Sequence, residues 1–224
     1  VVVTGLGAIT PLGNDIPTYW KGLVNGVSGA APITKFDATN FKTQFACEVK
    51  DWDVSEFLDR KASRKMDLFA QYAVVCSDQA LEDAGLTGED SPVNPDRAGV
   101  IWGSGIGGFQ TFMNEALNFH RSEGIPRFSP FFIPMMISDI AAGHISMRHG
   151  YRGPNFCTVS ACASGTNAMI DAFNYIRLGK ADVMVTGGSE AAVTEGGIGG
   201  FNALKALSTR NDDPAKASRP FDST

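Results

Sequence analysis

The residue best suited to covalent chemistry in this chain is Cys162, which lies where one pattern of residues changes into another. The β-branched and apolar run after Gly153 and Pro154 predicts a buried strand, and the residues after Ser160 predict a helix. A thiol in the first turn of a helix faces unpaired backbone N–H groups and the positive end of the helix dipole, which both favour the thiolate. The same N–H groups can stabilise an oxyanion on a bound carbonyl. Cys162 is therefore the candidate nucleophile.

A buried structural cysteine is the alternative interpretation, and two features count against it. Ser160 and Ser164 flank the thiol, and small residues recur at helical spacing after it, at 161, 165, 168 and 172. A neighbouring stripe at 162, 166, 169, 173 and 176 is mostly apolar, so the helix is expected to lie deep in the protein. Together these features favour catalysis.

A second candidate site is the glycine-rich segment that follows the strand predicted at 97–103. Taken literally, Gly103-x-Gly105-x-x-Gly108 fits a dinucleotide-binding fingerprint. That motif needs an acidic residue roughly 20 positions on, after a second strand. Glu123 lies near that distance but in an Arg-Ser-Glu-Gly turn. A nucleotide-binding module is thus a weak alternative, which a titration with NAD would test.

Apolar runs and turn residues around these segments predict alternating strands and helices. Strands are predicted at 1–3, 97–103 and 181–186, and helices at 14–25, 63–84, 109–119 and 135–149. The segments 28–58 and 196–201, and the residues from 208 onward, predict irregular chain. This alternation predicts an α/β layered fold with a mostly buried mixed sheet.

Four cations stand just before and inside the first turn of the helix predicted at 63–84. They are Arg60, Lys61, Arg64 and Lys65. The helix dipole disfavours positive charge at this end, which indicates another reason for the cluster. A solvated helix end is one interpretation, and a docking patch for an acidic partner is the other.

Composition excludes several classes of function. The chain is 43% hydrophobic and 19% charged, which is typical of a globular protein. A net charge of −5 argues against a nucleic-acid partner, and no apolar run reaches the ~20 residues of a membrane helix. The cysteines at 47, 76, 157 and 162 lack metal-site spacing, so reduced thiols, a cytoplasmic location and no metal are expected.

Short segments in a fixed order resemble the β-ketoacyl-acyl-carrier-protein synthases, most of all the elongating enzyme of dissociated bacterial fatty-acid synthesis. The nucleophile segment reads Thr-Val-Ser-Ala-Cys-Ala-Ser-Gly-Thr-Asn-Ala. The others are Val-Val-Val-Thr-Gly-Leu-Gly-Ala-Ile-Thr-Pro-Leu-Gly at the start, Gly-Ser-Gly-Ile-Gly-Gly at 103–108, Ser-Pro-Phe-Phe-Ile-Pro at 129–134, Ala-Gly-His-Ile-Ser at 142–146, Gly-Gly-Ser-Glu at 187–190 and Ala-Leu-Ser-Thr-Arg-Asn at 206–211. Each segment alone is weak, and their shared order makes the resemblance specific.

The resemblance implies a thiolase-like fold of two similar α/β halves, of which residues 1–224 would be the first. It implies that Cys162 accepts an acyl chain and that Ile106, Phe132 and Phe201 line the acyl pocket. It also implies a homodimer, and an acyl-carrier protein docked on the basic cluster. The carrier's phosphopantetheine would bring the substrates, with no other cofactor.

The same resemblance places two further catalytic histidines and a lysine in a second half. None of His120, His144 and His149 matches those positions. His120 is expected to face solvent, His144 to be a satisfied structural histidine, and His149 to suit a helix C-terminus. Residues 1–224 alone are therefore expected not to condense malonyl-carrier. The alternatives are a thiolase or other Cys acyltransferase, a polyketide-type ketosynthase, and a non-enzymatic chain-length subunit, whose nucleophile position is usually not Cys.

Overall fold

A run of apolar residues between Arg97 and Gly103 forms the most buried strand of the protein. The computed structural model describes residues 1–88 and 91–222, and the chain divides into two units. The first unit contains Val1–Gly7 and Asp53–Ala191, and the second contains Ala8–Trp52 and the chain from Ala192 onward. Every residue of the strand is buried, as expected for a strand covered on both faces.

The helices and strands are numbered in chain order. The α-helices are α1 Ile16–Val24, α2 Arg60–Ser63, α3 Leu68–Asp83, α4 Phe109–Arg121, α5 Phe132–Met136, α6 Ile140–His149, α7 Ser164–Arg177 and α8 Glu195–Ala203. The strands are β1 Ala31–Pro32, β2 Phe45–Ala46, β3 Ala98–Gly103, β4 Asn155–Thr158 and β5 Val183–Gly188. Single 3₁₀ turns lie at Val54–Glu56, Pro95–Arg97 and Pro214–Lys216.

Three parallel strands form the sheet of the first unit, in the order β4-β3-β5. Ile101 at the middle of β3 pairs with Phe156 on β4 and Thr186 on β5. The small side chains Ala168 and Ala172 of α7 pack on Ile101. Because parallel strands present their carboxyl ends at one edge, the chain that follows β3, β4 and β5 meets at that edge.

Helix α7 is less buried than its sequence pattern predicts. The small-residue stripe is buried at Ala168 and Ala172, as expected, but Met169 is 54% exposed and Phe173 is also exposed. The prediction that the whole helix lies deep in the protein is therefore wrong for this chain. In the apolar stripe beside the small residues, Met169 and Phe173 are exposed, whereas Ile176 is partly buried.

Helix α3 begins later than the apolar periodicity predicts. Its first residue is Leu68, since Asp67 is the N-cap and accepts a hydrogen bond from the backbone N–H of Phe69. The residues expected to open one long helix instead form the short helix α2, which Asp59 caps. The end at Gly85 is confirmed, where φ is +66°. The basic cluster therefore does not lie in the first turn of α3, and the dipole argument for it is wrong.

The first residues of the chain do not form the predicted strand. Val1–Val3 pair with no strand among the described residues, and Val2 is 80% exposed. The two glycines that follow nevertheless pack closely on α3. A Cβ at Gly5 would lie 2.0 Å from the Ala80 carbonyl oxygen, and one at Gly7 would lie 2.0 Å from that of Cys76. This segment therefore needs glycine for close approach to a helix.

Two other predictions fail at the ends of helices. The helix predicted at 135–149 is two helices, α5 and α6, and the second ends as expected at Gly150, with φ of +68°. The turn predicted at 196–201 is helical, because the Thr194 side chain accepts from the Gly197 N–H at 3.0 Å and caps α8. The cap offsets the low helix propensity of the glycines.

Side-chain hydrogen bonds join separate segments of the second unit. The helix predicted at 14–25 begins later, at Ile16, because Asp15 caps α1 through the Thr18 N–H. The Thr43 hydroxyl contacts Asn202 Oδ1 at 3.0 Å and donates to the Ser208 carbonyl at 2.7 Å. These bonds fasten the otherwise irregular chain beyond α8. None of the helices in the described ranges is both long and apolar enough to span a bilayer.

Candidate active site

Cys162 lies in the turn that joins β4 to α7, with its side chain exposed. The strand and the helix predicted on either side of it are confirmed, but the prediction that the strand is buried is wrong, since β4 is exposed at Asn155 and only partly buried elsewhere. The thiol is not in the first helical turn, however, because Ser164 is the first helical residue and Ala163 is the N-cap. No side chain caps this end of α7. Cys162 therefore precedes a helix start whose first backbone N–H groups lack a capping side chain.

The turn before the thiol is held in a conformation that non-glycine residues seldom adopt. Ala161 has φ of +53°, in the left-handed region. Its carbonyl accepts from the Ser164 hydroxyl at 2.7 Å and from the Ser164 N–H at 3.1 Å. The Ser164 hydroxyl also accepts from the Ser160 N–H at 2.9 Å. Ser164 is 3% exposed, so it braces the turn from within and does not face a ligand.

Two further hydroxyl groups fix the same turn. Thr158 at the end of β4 donates through its hydroxyl to the Ser164 carbonyl at 2.8 Å. The Asn167 amide donates to the Ser160 hydroxyl at 2.6 Å. The serines that flank the thiol in the sequence thus have a positioning role, which their place in the sequence does not distinguish from a catalytic one.

Glycines let the start of α7 lie against the ends of two strands. A Cβ at Gly103, the last residue of β3, would lie 2.3 Å from the Ser164 carbonyl carbon. A Cβ at Gly188, the last residue of β5, would lie 2.8 Å from the Gly165 Cα. Such distances exclude any side chain at either strand end. The turn with Cys162 is therefore placed at the carboxyl edge of the parallel sheet, the edge at which open α/β sheets bind ligands.

Backbone N–H groups of the glycine-rich segment after β3 already bind a carboxylate of the protein. Glu190, two residues beyond β5, accepts through Oε2 from the Gly105 N–H at 2.7 Å and the Ile106 N–H at 3.0 Å. The next two N–H groups donate to the Ser104 hydroxyl and the Met136 carbonyl. A bound phosphate would need these same donors and would be repelled by the carboxylate. The geometry therefore counts against the dinucleotide hypothesis.

Two of the three predicted acyl-pocket residues lie on adjoining segments. Ile106 is exposed on the glycine-rich segment, and Phe132 begins α5. These segments touch, because a Cβ at Gly108 would lie 2.1 Å from the Met135 carbonyl oxygen of α5. The third residue, Phe201, belongs to the second unit, where it lies on α8 and is 37% exposed.

A row of stacked aromatic rings extends from Phe132. Its ring centroid lies 5.6 Å from that of Phe128 and 6.4 Å from that of Phe112. Phe128 stacks in turn on Phe119 at 5.4 Å. The rings at 112, 119 and 128 are exposed, so they present a continuous apolar surface beside α4 and α5.

The predicted docking residues lie on α2 and the turn after it. Arg60, Lys61 and Arg64 are exposed and are spaced to share one face of the chain. Lys65 differs, because it is partly buried and its ammonium lies 5.0 Å from the centre of the Phe131 ring. The first three are therefore free to meet a partner, while Lys65 also serves packing within the unit.

The three histidines and Cys157 lie in different surroundings. His120 is exposed, as predicted, and His149 Nε2 lies 3.0 Å from Asp78 Oδ1. The prediction that His144 is satisfied is wrong for Nε2, which is buried without a hydrogen-bond partner among the described residues, and burial lowers the pKa of His144. Burial also raises the pKa of the Cys157 thiol. Within residues 1–88 and 91–222, no three His, Cys, Asp or Glu side chains lie close enough together to hold a metal ion.

Comparison with known proteins agrees with this fold, in which a cysteine lies between a strand and a helix at the carboxyl edge of a parallel sheet. The family model for the N-terminal domain of beta-ketoacyl synthases matches residues 1–224. The chain belongs to the beta-ketoacyl synthase family, whose fold is thiolase-like.

Named relatives and a solved structure give the same result. The chain is 49% identical to a 3-oxoacyl-[acyl-carrier-protein] synthase 2 of Synechocystis sp. over 99% of its length and 53% of the relative's. It is 48% identical to the one of Vibrio harveyi, again over 99% of this chain and 53% of the relative. A beta-ketoacyl synthase structure from Burkholderia phymatum matches 100% of this chain and 54% of its own, with a TM-score of 0.88 and 29% identity. The chain thus spans about half the length of the relatives it matches.

Proposed function

We propose that this chain is the nucleophile-bearing half of a 3-oxoacyl-[acyl-carrier-protein] synthase of fatty-acid biosynthesis. The observation that carries the proposal is the exposed Cys162 thiol on a braced turn, within a beta-ketoacyl synthase N-terminal domain that is nearly half identical to enzymes of that name. The remaining catalytic groups of such an enzyme would lie in its other half.

The first step would transfer an acyl group from the carrier's phosphopantetheine to Cys162. A bond forms between the Cys162 sulfur and the acyl carbonyl carbon, and the bond from that carbon to the pantetheine sulfur breaks. The proton that leaves Cys162 ends on the released pantetheine thiol. The positive end of the α7 dipole, which begins two residues beyond Cys162, would favour the oxyanion that forms between these events.

The second step would join this acyl group to a malonyl unit. Malonyl-carrier loses carbon dioxide, and the resulting carbanion forms a bond to the acyl carbonyl carbon held on Cys162. The bond from that carbon to the Cys162 sulfur then breaks, which frees the Cys162 thiolate and gives a β-ketoacyl-carrier. Covalent catalysis thereby divides one difficult condensation into easier steps. None of His120, His144 and His149 has a role here, so we expect residues 1–224 alone to accept the acyl group without condensing it.

An acyl-carrier protein is the proposed macromolecular partner. Arg60, Lys61 and Arg64 are exposed cations on an otherwise acidic chain with net charge −5, which suits an acidic carrier. Replacing Arg64 by Glu should lower the affinity for the carrier and make that affinity less dependent on salt concentration. Lys50→Glu changes the charge equally at an exposed lysine outside the basic cluster, and it should leave binding unchanged.

A homodimer is the proposed assembly. Among the described residues β4 pairs only with β3, which leaves one edge of this strand open. The exposed Val159 and Ile170 line a shallow groove of about 370 Å³ beside that edge. An open strand edge next to apolar surface favours pairing with a second copy. Ile170→Arg should shift the sedimentation coefficient of the full-length enzyme from dimer to monomer.

A cytoplasmic location is proposed because all four cysteines are free thiols.

Mass spectrometry after incubation with an acyl-carrier thioester tests the central proposal. The acyl mass should appear on the peptide with Cys162, and Cys162→Ala should abolish it. Cys47→Ala is the matched control, since Cys47 is also an exposed thiol. Acylation that persists in Cys162→Ala, or β-ketoacyl product formed by residues 1–224 alone, contradicts the proposal.

A further inference from the structure

Glu190 makes a set of hydrogen bonds that the proposed reaction does not use. Its Oε2 accepts from two successive backbone N–H groups, those of Gly105 and Ile106, at 2.7 and 3.0 Å. Its Oε1 accepts from the Ser104 hydroxyl at 3.2 Å. Hydrogen bonds to a charged group are stronger than neutral ones, so this side chain holds three consecutive residues of the segment that follows β3.

The held segment lies between Glu190 and the residue that precedes the nucleophile. A Cβ at Gly105 would lie 3.1 Å from Glu190 Oε2 on one side and 3.2 Å from the Ala161 carbonyl oxygen on the other. Further along, Gly108 donates to the Met136 carbonyl at 2.9 Å and thereby joins the segment to the chain after Phe132. The Glu190 carboxylate therefore controls the backbone that carries Ile106.

We propose that Glu190 is a positioning residue that sets the place of Ile106 and so decides how well Cys162 reacts with long-chain acyl groups. The inference rests on the proposed function for the nature of the substrate. Glu190 acts through the backbone N–H groups of Gly105 and Ile106 and does not itself touch the acyl chain. Its loss should therefore affect reagents that carry a chain more than reagents that do not.

The geometry also predicts which substitution at Glu190 should preserve the placement of Ile106. Both backbone donors use the same carboxylate oxygen. A glutamine can accept both through its carbonyl oxygen and can donate through its amide to the Ser104 hydroxyl. Glu190→Gln should therefore keep the segment in place, whereas Glu190→Ala removes every one of these bonds.

Two alkylating reagents on the same thiol test the inference. The rate constants of Cys162 modification by iodoacetamide and by N-dodecyl iodoacetamide are measured by mass spectrometry, and their ratio reports chain recognition. Glu190→Ala should lower the dodecyl-to-plain ratio roughly tenfold, as expected for a misplaced binding segment. The plain iodoacetamide rate should stay unchanged. Glu190→Gln should restore the ratio, and Glu56→Ala, at an exposed glutamate of the same unit, should leave it unaltered.

The outcomes separate this inference from the proposed function. An unchanged ratio in Glu190→Ala overturns the positioning role, and so does an equal fall in both rates, which indicates a distorted turn at Cys162. A Glu190→Gln variant as impaired as Glu190→Ala also overturns it, because the charge and not the placement would then matter. Failure of the wild-type chain to accept an acyl group from the carrier thioester would contradict the proposed function. The ratio of the two alkylation rates would still test the role of Glu190.

Discussion

The buried hydroxyl of Ser164 donates a 2.7 Å hydrogen bond to the carbonyl of Ala161, the residue that precedes the candidate nucleophile and has φ of +53°. A left-handed alanine costs roughly 1 kcal/mol, so the surroundings must hold it. The same hydroxyl accepts from the Ser160 N–H, which closes the turn from both sides. The exposed thiol of Cys162 is thus presented by a buried serine that lies two residues further along the chain.

Ser164→Ala should destabilise the protein and reduce the reactivity of Cys162. The substitution removes the acceptor of the Ser160 N–H and the donor to the Ala161 carbonyl in a partly exposed turn, at a cost of about 0.5–1.5 kcal/mol. Urea unfolding measures the stability, and timed alkylation measures the thiol. Ser55→Ala, at an exposed serine of the same unit, should change stability by less than about 0.5 kcal/mol. Equal effects of the two substitutions would show that Ser164 does not brace the turn.

Gly103→Ala should be strongly destabilising. A Cβ there would lie 2.3 Å from the Ser164 carbonyl carbon, and backbone on a helix cannot move aside cheaply. Overpacking of this kind costs about 1–3 kcal/mol or more in the free energy of unfolding. The same exchange at Gly143 is the control, since a Cβ there would lie 3.8 Å from Ile140 Cδ1 inside α6. Gly143→Ala should stabilise by about 0.5–1 kcal/mol, and a destabilisation there equal to that at Gly103 would contradict the packing argument.

Asp67→Ala should cost more than the loss of an ordinary helix cap. The Asp67 carboxylate caps α3 and also accepts from the backbone N–H and the hydroxyl of Thr111 at the start of α4, at 2.9 and 2.6 Å. Losing charged hydrogen bonds at this buried group should lower the free energy of unfolding by about 1.5–3 kcal/mol. Asp59→Ala removes the exposed cap of α2 and should cost about 0.5–1 kcal/mol. Thermal unfolding of both variants checks the difference, which should vanish if Thr111 gains nothing from Asp67.

Cys157 should react much more slowly than Cys162 at neutral pH. Burial raises the pKa of the Cys157 thiol, so less of the reactive thiolate is present, and the side chain is only partly accessible. The labelling rate of Cys157 should rise as the pH increases towards its raised pKa. Mass spectrometry after limiting iodoacetamide gives the order of modification, and Cys162→Ser shows whether Cys157 reacts in its absence. Alkylation of native Cys157 as fast as Cys162 at pH 7 would contradict the expected order.

The placement of the nucleophile could be read from the sequence because its signals are local. An apolar β-branched run behind Gly153 and Pro154 gives β4, and small residues at helical spacing give α7. The strand before the glycine-rich segment was equally clear, since each residue of β3 is apolar or small. Local pattern was enough wherever the strand or helix packs through its own periodic face.

Helix starts were less predictable where a single polar side chain decides them. Periodicity predicted one helix over 63–84, but Asp67 begins a new one at Leu68. At 196–201 the glycines predicted a turn, and the cap from Thr194 makes a helix. At Asp67 the extended backbone of the cap residue interrupts the helix predicted before it, and at α8 one side-chain hydrogen bond outweighs the low helix propensity of the glycines.

The sequence by itself determined the family and the strand–turn–helix around Cys162, because these depend on residues adjacent in the chain. Only the tertiary structure decided that Ser164 supports the turn, that Glu190 binds the glycine-rich segment, and that Val1–Val3 pair with no strand in the described part of the chain. These features depend on which groups meet in space. Glu190 and Gly105 are 85 positions apart in the chain, and no local pattern reports the hydrogen bond between them.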